Sequence, residues 1–142
     1  MKNLKILIAV LALFTLLSCN DDDGNPVNTI DGQWRLARVS GGLTGIEQTF
    51  MDDTIKWEFH PENNTLVVVN NNTDENLYDG LESGTYSYTI VNNPNSQDCT
   101  NTLLINNETF GCVTIEEFKL TIDDSYADGF KYELYRKHIM LE

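Results

Sequence analysis

The sequence predicts an all-β domain, a single antiparallel up-and-down β-barrel of about eight strands with little helix. Two observations carry that expectation. Apolar and polar residues alternate with a period of two in four separate segments, and clusters of Asn, Gly, Asp and Pro punctuate the chain between them. Successive side chains leave a strand on opposite faces, so a period of two marks a strand with one buried and one wet side.

In chain order, the first strand is Gln33–Val39, ended by the turn residues Ser40-Gly41-Gly42. The one helix candidate follows, a turn or two within Thr44–Met51, where Ile46, Phe50 and Met51 can share a face. Ile55, Trp57 and Phe59 then alternate with Lys56, Glu58 and His60, and Pro61-Glu62-Asn63-Asn64 supplies a turn before a short strand at Thr65–Val69. Beyond Asn70-Asn71-Asn72 and Asp79-Gly80, Tyr86, Tyr88 and Ile90 alternate with Thr85, Ser87 and Thr89. Asn92-Asn93-Pro94-Asn95 leads to shorter candidates at Thr102–Asn106 and Val113–Glu116. Phe118, Leu120 and Ile122 form the next apolar face, and after Asp128-Gly129 come Phe130, Tyr132 and Leu134. Short strands joined by hairpin turns close well as a barrel; a two-sheet sandwich is the alternative architecture.

Residues 1–18 stand apart from that pattern. Lys2 and Lys5 form a basic start, and the apolar run Ile6–Leu17 is long enough for a signal-peptide core but too short to span a bilayer. The run ends Leu16-Leu17-Ser18-Cys19, which resembles the lipobox of bacterial lipoprotein precursors. The resemblance implies cleavage before Cys19 and acylation of its thiol, with the membrane as partner through that lipid. An ordinary secretory signal beside an incidental Cys19 is the plainer alternative. Several acyl chains, each methylene contributing about 0.8 kcal/mol when buried, hold a protein durably where one chain does not. Residues 19–29 carry Asp21, Asp22 and Asp23 with no apolar side chain before Val27, which suits a solvated tether. An acidic cluster directly behind the lipidated cysteine also resembles the surface-export signal of Bacteroidota lipoproteins, implying the outer face of the outer membrane; a simple spacer is the alternative.

Residues 1–18 hold two lysines and no acid, so their removal leaves seven basic against 22 acidic side chains, a net charge of −15. Nucleic acid is a poor partner for such a chain. With Cys19 lipidated, Cys99 and Cys112 remain as an even pair in an oxidising compartment. Neither has a His beside it and the spacing is not C-x-x-C, which favours a structural disulfide over two free thiols. Pairing closes a loop of 14 residues, for which chain entropy alone predicts about 3 kcal/mol of stabilisation.

Residues 30–142 read as one domain without internal repeats. Gly32-Gln33-Trp34 opens it with the G-x-W arrangement of lipocalin-like barrels, and Arg136 falls near the end of the last strand. Ile55-Lys56-Trp57-Glu58-Phe59, Gly84-Thr85-Tyr86-Ser87-Tyr88 and Asp128-Gly129-Phe130-Lys131-Tyr132 follow in an order and spacing that resembles lipocalin-like lipoproteins of Bacteroidota. The resemblance implies structural roles for Gly32, Trp34 and Arg136, the arginine covering the tryptophan at the closed end of the barrel. The further lipocalin motifs and the long C-terminal helix of the secreted type are missing.

Chemical signatures are sparse. His60 and His138 stand alone, without the close second ligand that metal sites need. Asp123–Gly129 invites comparison with a calcium loop, but aligning Gly129 to the loop glycine places Tyr126 and Tyr135 where oxygen ligands are required, so a plain turn is expected. Glu116 and Glu117 are adjacent, and neighbours on a strand point to opposite faces, where they cannot share a substrate atom. Nucleophile-elbow, triad and phosphate-loop patterns are lacking, so a non-enzyme without cofactor or metal is expected. Trp57, Phe59, Tyr86, Tyr88, Tyr132 and Leu134 are expected to face one interior. Two functions fit a monomeric barrel of this kind. The first reading is a binding module that takes a small apolar or amphipathic ligand inside, with an interior filled by its own side chains as the plainer alternative. The other is a packed, surface-displayed module that meets a protein or glycan through its long polar loops at 70–83 and 92–101.

Cys19→Ser is expected to abolish incorporation of labelled palmitate in growing cells and to shift the protein from the membrane to the soluble fraction. Label retained on that variant would rule out thiol acylation at Cys19.

Overall fold

A computed structural model describes residues 29–136. The expected signal segment, Cys19, the expected acidic tether and His138 lie outside the described residues. Nine strands follow in order: β1 (Gly32–Gly41), β2 (Ile46–Thr49), β3 (Ile55–His60), β4 (Thr65–Asn70), β5 (Gly84–Asn92), β6 (Asn101–Ile105), β7 (Glu108–Glu116), β8 (Lys119–Asp123) and β9 (Phe130–Tyr135). From β3 to β9 each strand pairs antiparallel with its successor, and β1 pairs with both β3 and β9. Those eight strands form a closed up-and-down barrel, with β2 as an extra strand. A single 3-10 turn, Ser125–Ala127, interrupts the strands, and the described residues contain no α-helix.

The helix candidate in Thr44–Met51 is a strand instead. On one edge of β1, residues Gly32–Arg35 pair with β3, which leaves Arg38–Gly41 to pair with Thr49–Ile46 of β2. Without β2 that stretch would present unpaired backbone groups, and satisfying them outweighs a weak local helical preference. Phe50 and Met51 do not share a face. Phe50 packs against the core and its N–H donates to the Ala37 carbonyl at 2.9 Å, whereas Met51 is 82% exposed.

Two irregularities aim side chains inward. The β1–β9 register shifts between Leu36 and Arg38, so the buried residues run Trp34, Leu36, Val39 rather than in strict alternation. In the β6–β7 pair, Leu103 lies opposite Gly111 and Leu104 opposite Thr109, leaving Phe110 as the extra residue. Its ring turns inward to stack on Tyr132 (centroids 5.0 Å apart) and to meet Trp57 (5.7 Å). Gly111 is needed beside it: φ is +153°, and a Cβ there would stand 2.9 Å from Ile122 Cγ2.

The lower pole is closed by the residues around Trp34. Gly32 enters β1 at φ +89°, a conformation open to glycine, and places Trp34 in the core with no exposed surface. The Trp34 Nε1–H donates to the Ile30 carbonyl at 2.7 Å. The Arg136 guanidinium lies 4.1 Å from the Trp34 ring, and its Nη2 donates to the Asp31 carbonyl at 3.0 Å and to the Thr29 carbonyl. Desolvation lowers the Arg136 pKa, opposed by the Asp31 carboxylate.

Two apolar residues sit elsewhere than their alternation predicts. Phe118 occupies the β7–β8 turn beside Glu117 at φ +45°, so the inward face of β8 starts at Leu120. Ile90 lies where β5 runs on past β4, which pairs only as far as Ser87, and is 36% exposed. Cys99 and Cys112 form a disulfide, with Cα atoms 5.5 Å apart.

Arg136→Ala is expected to lower unfolding stability by about 1–3 kcal/mol in urea titration, by uncovering Trp34 and leaving two carbonyls without their donor. Arg136→Lys should recover only part of that loss, because an ammonium lacks the planar fork. Unfolding midpoints equal to wild type in both variants would refute the closing role.

Candidate functional site

The interior is the first place to look for a ligand, and side chains fill it. Trp57, Phe59, Tyr88, Tyr132 and Leu134 are all buried in one apolar cluster with Trp34, Leu36, Leu66 and Leu120. Tyr86 is half-buried, packs against the edge of that cluster and donates its hydroxyl to the Glu82 carbonyl at 2.8 Å. Phe59 meets Tyr88 edge to face at 5.1 Å, and Trp57 lies 6.4 Å from Phe59 and 5.9 Å from Tyr132. Contacts of this kind make the rings mutually supporting walls.

The upper mouth is covered by residues 71–83. Asn70 Nδ2 donates to the Leu81 carbonyl at 3.2 Å, and the Tyr78 backbone N–H donates to Gln48 Oε1 at 2.8 Å. The Tyr78 ring stacks on Phe130 at 3.9 Å, and its hydroxyl lies 3.1 Å from that of Tyr132. Burial pushes the Tyr132 phenol far above its ordinary range, with the Tyr78 hydroxyl adding to the effect, so Tyr132 stays neutral. Trp57 Nε1 is buried beneath this cover without a hydrogen-bond partner.

The outer wall holds a groove. Alternate residues of β7 and β8 turn outward, and Thr114 stands opposite Thr121 across the β7–β8 pair. One side of the groove is the 93–100 loop, drawn onto β7 by the Cys99–Cys112 disulfide and braced by the Cys99 N–H donating to Ser96 Oγ at 3.0 Å. The other side is the 3-10 turn, whose Ser125 donates through Oγ (2.6 Å) and backbone N–H (3.0 Å) to Asp123 Oδ1. The groove has a volume of about 800 Å³ and is lined by Asp98, Glu116, Lys119, Asp123, Tyr126 and Lys131 among others.

Both lysines along it are paired. Lys119 Nζ reaches Glu133 Oε1 at 2.5 Å, and Lys131 Nζ lies 3.5 Å from Asp123 Oδ2. The hydrogen bond from Lys119 holds the Glu133 carboxyl below its usual range, aided by Arg38 and Lys131. Burial pushes the Asp123 carboxyl up, but Ser125 and Lys131 outweigh it and the net shift is downward.

A second recess, of about 840 Å³, opens at the lower pole between Ile30, Ile90, Val113, Ile115 and Arg136. His60 lies outside both recesses, with Nδ1 3.3 Å from Glu62 and Nε2 3.7 Å from Glu58. Among the described residues no three His, Cys, Asp or Glu side chains converge in a metal-binding arrangement. In the 123–129 loop, Asp123 is engaged by Ser125, and Asp128 takes a left-handed conformation at φ 57° before β9. Glu116 ends β7 exposed, while Glu117 falls in the turn.

Sequence reasoning missed the groove, because its polar lining is also what any wet strand face looks like. The available signals were the Cys99–Cys112 pair and the polar loop at 92–101, which together build one side. No family model, curated protein or solved structure matches the chain.

The Glu133 shift sets a pH dependence. A carboxyl whose folded pKa is depressed stabilises the fold above its unfolded pKa, and that contribution disappears as pH falls through the folded value. Wild type should therefore lose more stability than Glu133→Gln between pH 7 and pH 3 in parallel urea titrations. Equal losses would show that the Lys119–Glu133 contact does not contribute.

Proposed function

We propose that this protein is a lipid-anchored, non-catalytic binding module of the outer membrane, with a lipocalin-like barrel that meets its partner on the outside. The observation carrying this is the filled interior: Trp57, Phe59, Tyr132 and their neighbours pack on one another where a ligand cup would be. A barrel of eight strands either fills itself with side chains or holds one small ligand, and here the rings occupy the space.

The N-terminal pattern supports the address. The lipobox at Cys19 supplies the anchor, and the Asp21–Asp23 cluster favours display on the cell surface. Thr29 and Arg136 both sit at the lower pole, held together by their hydrogen bond. Anchoring at Cys19 therefore turns that pole to the membrane and leaves the wall groove and the upper loops accessible. Ten residue steps separate Cys19 from Thr29 and reach at most about 35 Å, so the barrel stays close to the lipid surface. The eight strands of the ring are each flanked by two partners, which suits a monomer; β2 alone keeps an outer edge, of four residues.

One observation favours a second function, an internal site for a small apolar or amphipathic ligand. The orphaned Trp57 Nε1–H is a donor awaiting an acceptor, and the 71–83 cover would have to open for one to enter.

Organic extraction of the purified protein followed by mass spectrometry separates the two. The packed barrel predicts the covalent anchor alone, with no co-extracted small molecule, and external protease should degrade the protein on intact cells. A stoichiometric co-extracted lipid would overturn the packed barrel in favour of the internal site. Protection from external protease would overturn surface display.

A further inference from the structure

The outer-wall groove has features that select among ligand classes. We propose that it is a carbohydrate-binding site, taking a neutral oligosaccharide along β7 and β8 between the disulfide-bound loop and the 3-10 turn. This deepens the proposed function and rests on it.

Backbone pairing gives the first argument. β7 pairs with β6 and β8, β8 with β7 and β9, and β9 with β8 and β1. No strand edge is free along this wall, so an extended peptide cannot add itself through main-chain hydrogen bonds. A ligand must be satisfied by side chains alone. Sugars meet that condition, because each hydroxyl both donates and accepts.

The lining supplies matching groups. Thr114 and Thr121 form a low floor of small hydroxyl side chains, flanked by Ser96, Asp98 and Glu116. Carboxylates accept strongly from sugar hydroxyls, and threonine or serine hydroxyls rotate to donate or accept.

Charge gives the third argument. Lys131 is engaged by Asp123 and Lys119 by Glu133. An anionic ligand would have to displace Asp123 and Glu133 from those lysines, whereas a neutral polyhydroxylated one leaves the pairs intact and uses the lone pairs and protons left over.

Tyr126 completes the site. It is 74% exposed on the 3-10 turn and stacks on no other ring among the described residues. The positively polarised C–H face of a pyranose packs on the negative face of such a ring. The turn holding it is fixed by Ser125 on Asp123 and by the Ala127 N–H donating to the Asp124 carbonyl at 3.0 Å. Tyr126 is therefore presented by an ordered segment at the groove's rim.

The test uses the full lipidated protein in detergent against immobilised neutral hexasaccharides of glucose, mannose and N-acetylglucosamine. Decalysine and an uncharged extended peptide serve as comparison probes. Retention on at least one hexasaccharide is expected, weakened at least tenfold by Tyr126→Ala, retained by Tyr126→Phe, and abolished by Thr114→Arg, which fills the floor. Both replaced side chains point outward, and near-ultraviolet circular dichroism of each variant checks that the barrel is intact. Absence of binding to every hexasaccharide, binding indifferent to Tyr126→Ala and Thr114→Arg, or retention of the peptide probes instead would each overturn the proposal. A co-extracted lipid would count against the packed barrel alone, so the two failures are distinguishable.

Discussion

Closure of the ring through β1 is the constraint on which the rest of this structure depends. β1 is paired along both edges: with β9 from Arg35 to Gly41 on one side, and with β3 and then β2 on the other. Strand edges left open are liabilities that recruit other chains, and a closed ring removes them. Closure also forces a shape on the inner surface, because every inward side chain must share a narrow core. The bulge near Ala37 and the extra residue Phe110 adjust which side chains point inward, and Phe110 thereby stacks on Tyr132.

The same pleat that buries Val113, Leu120 and Ile122 turns Thr114, Lys119 and Thr121 to solvent, so core and groove are two faces of the same strands. The disulfide then builds relief on what would otherwise be a smooth wall, by holding the 93–100 loop against β7. The lower pole serves a different purpose. Ile30, Trp34 and Arg136 lock the first and last described residues together.

Much of the fold is legible in the sequence. Ile55–Phe59 and Phe130–Leu134 alternate cleanly, and both are strands whose apolar members are mostly buried. Gly32, Trp34 and Arg136, singled out by resemblance, meet at the lower pole. Cys99 and Cys112, paired by elimination, are bonded. The misreadings have local causes. Ile46–Thr49 has no strand alternation of its own and becomes β2 because β1 offers it an edge, which is information held in another part of the chain. Ile90 alternates correctly yet is part exposed, because β5 outruns its neighbour β4.

By itself, the sequence determined the period, the turns and the cysteine pairing, since each depends on residues close together or on simple counting. Tertiary structure alone decided whether the barrel was hollow. Packing Trp57, Phe59, Phe110 and Tyr132 against one another requires strands β3, β7 and β9 to be brought within about 6 Å of ring contact, and no local pattern encodes that. The groove was decided in the same way. Thr114, Thr121, Asp98 and Tyr126 come from four separate elements, and only the closed wall and its disulfide place them around one trench.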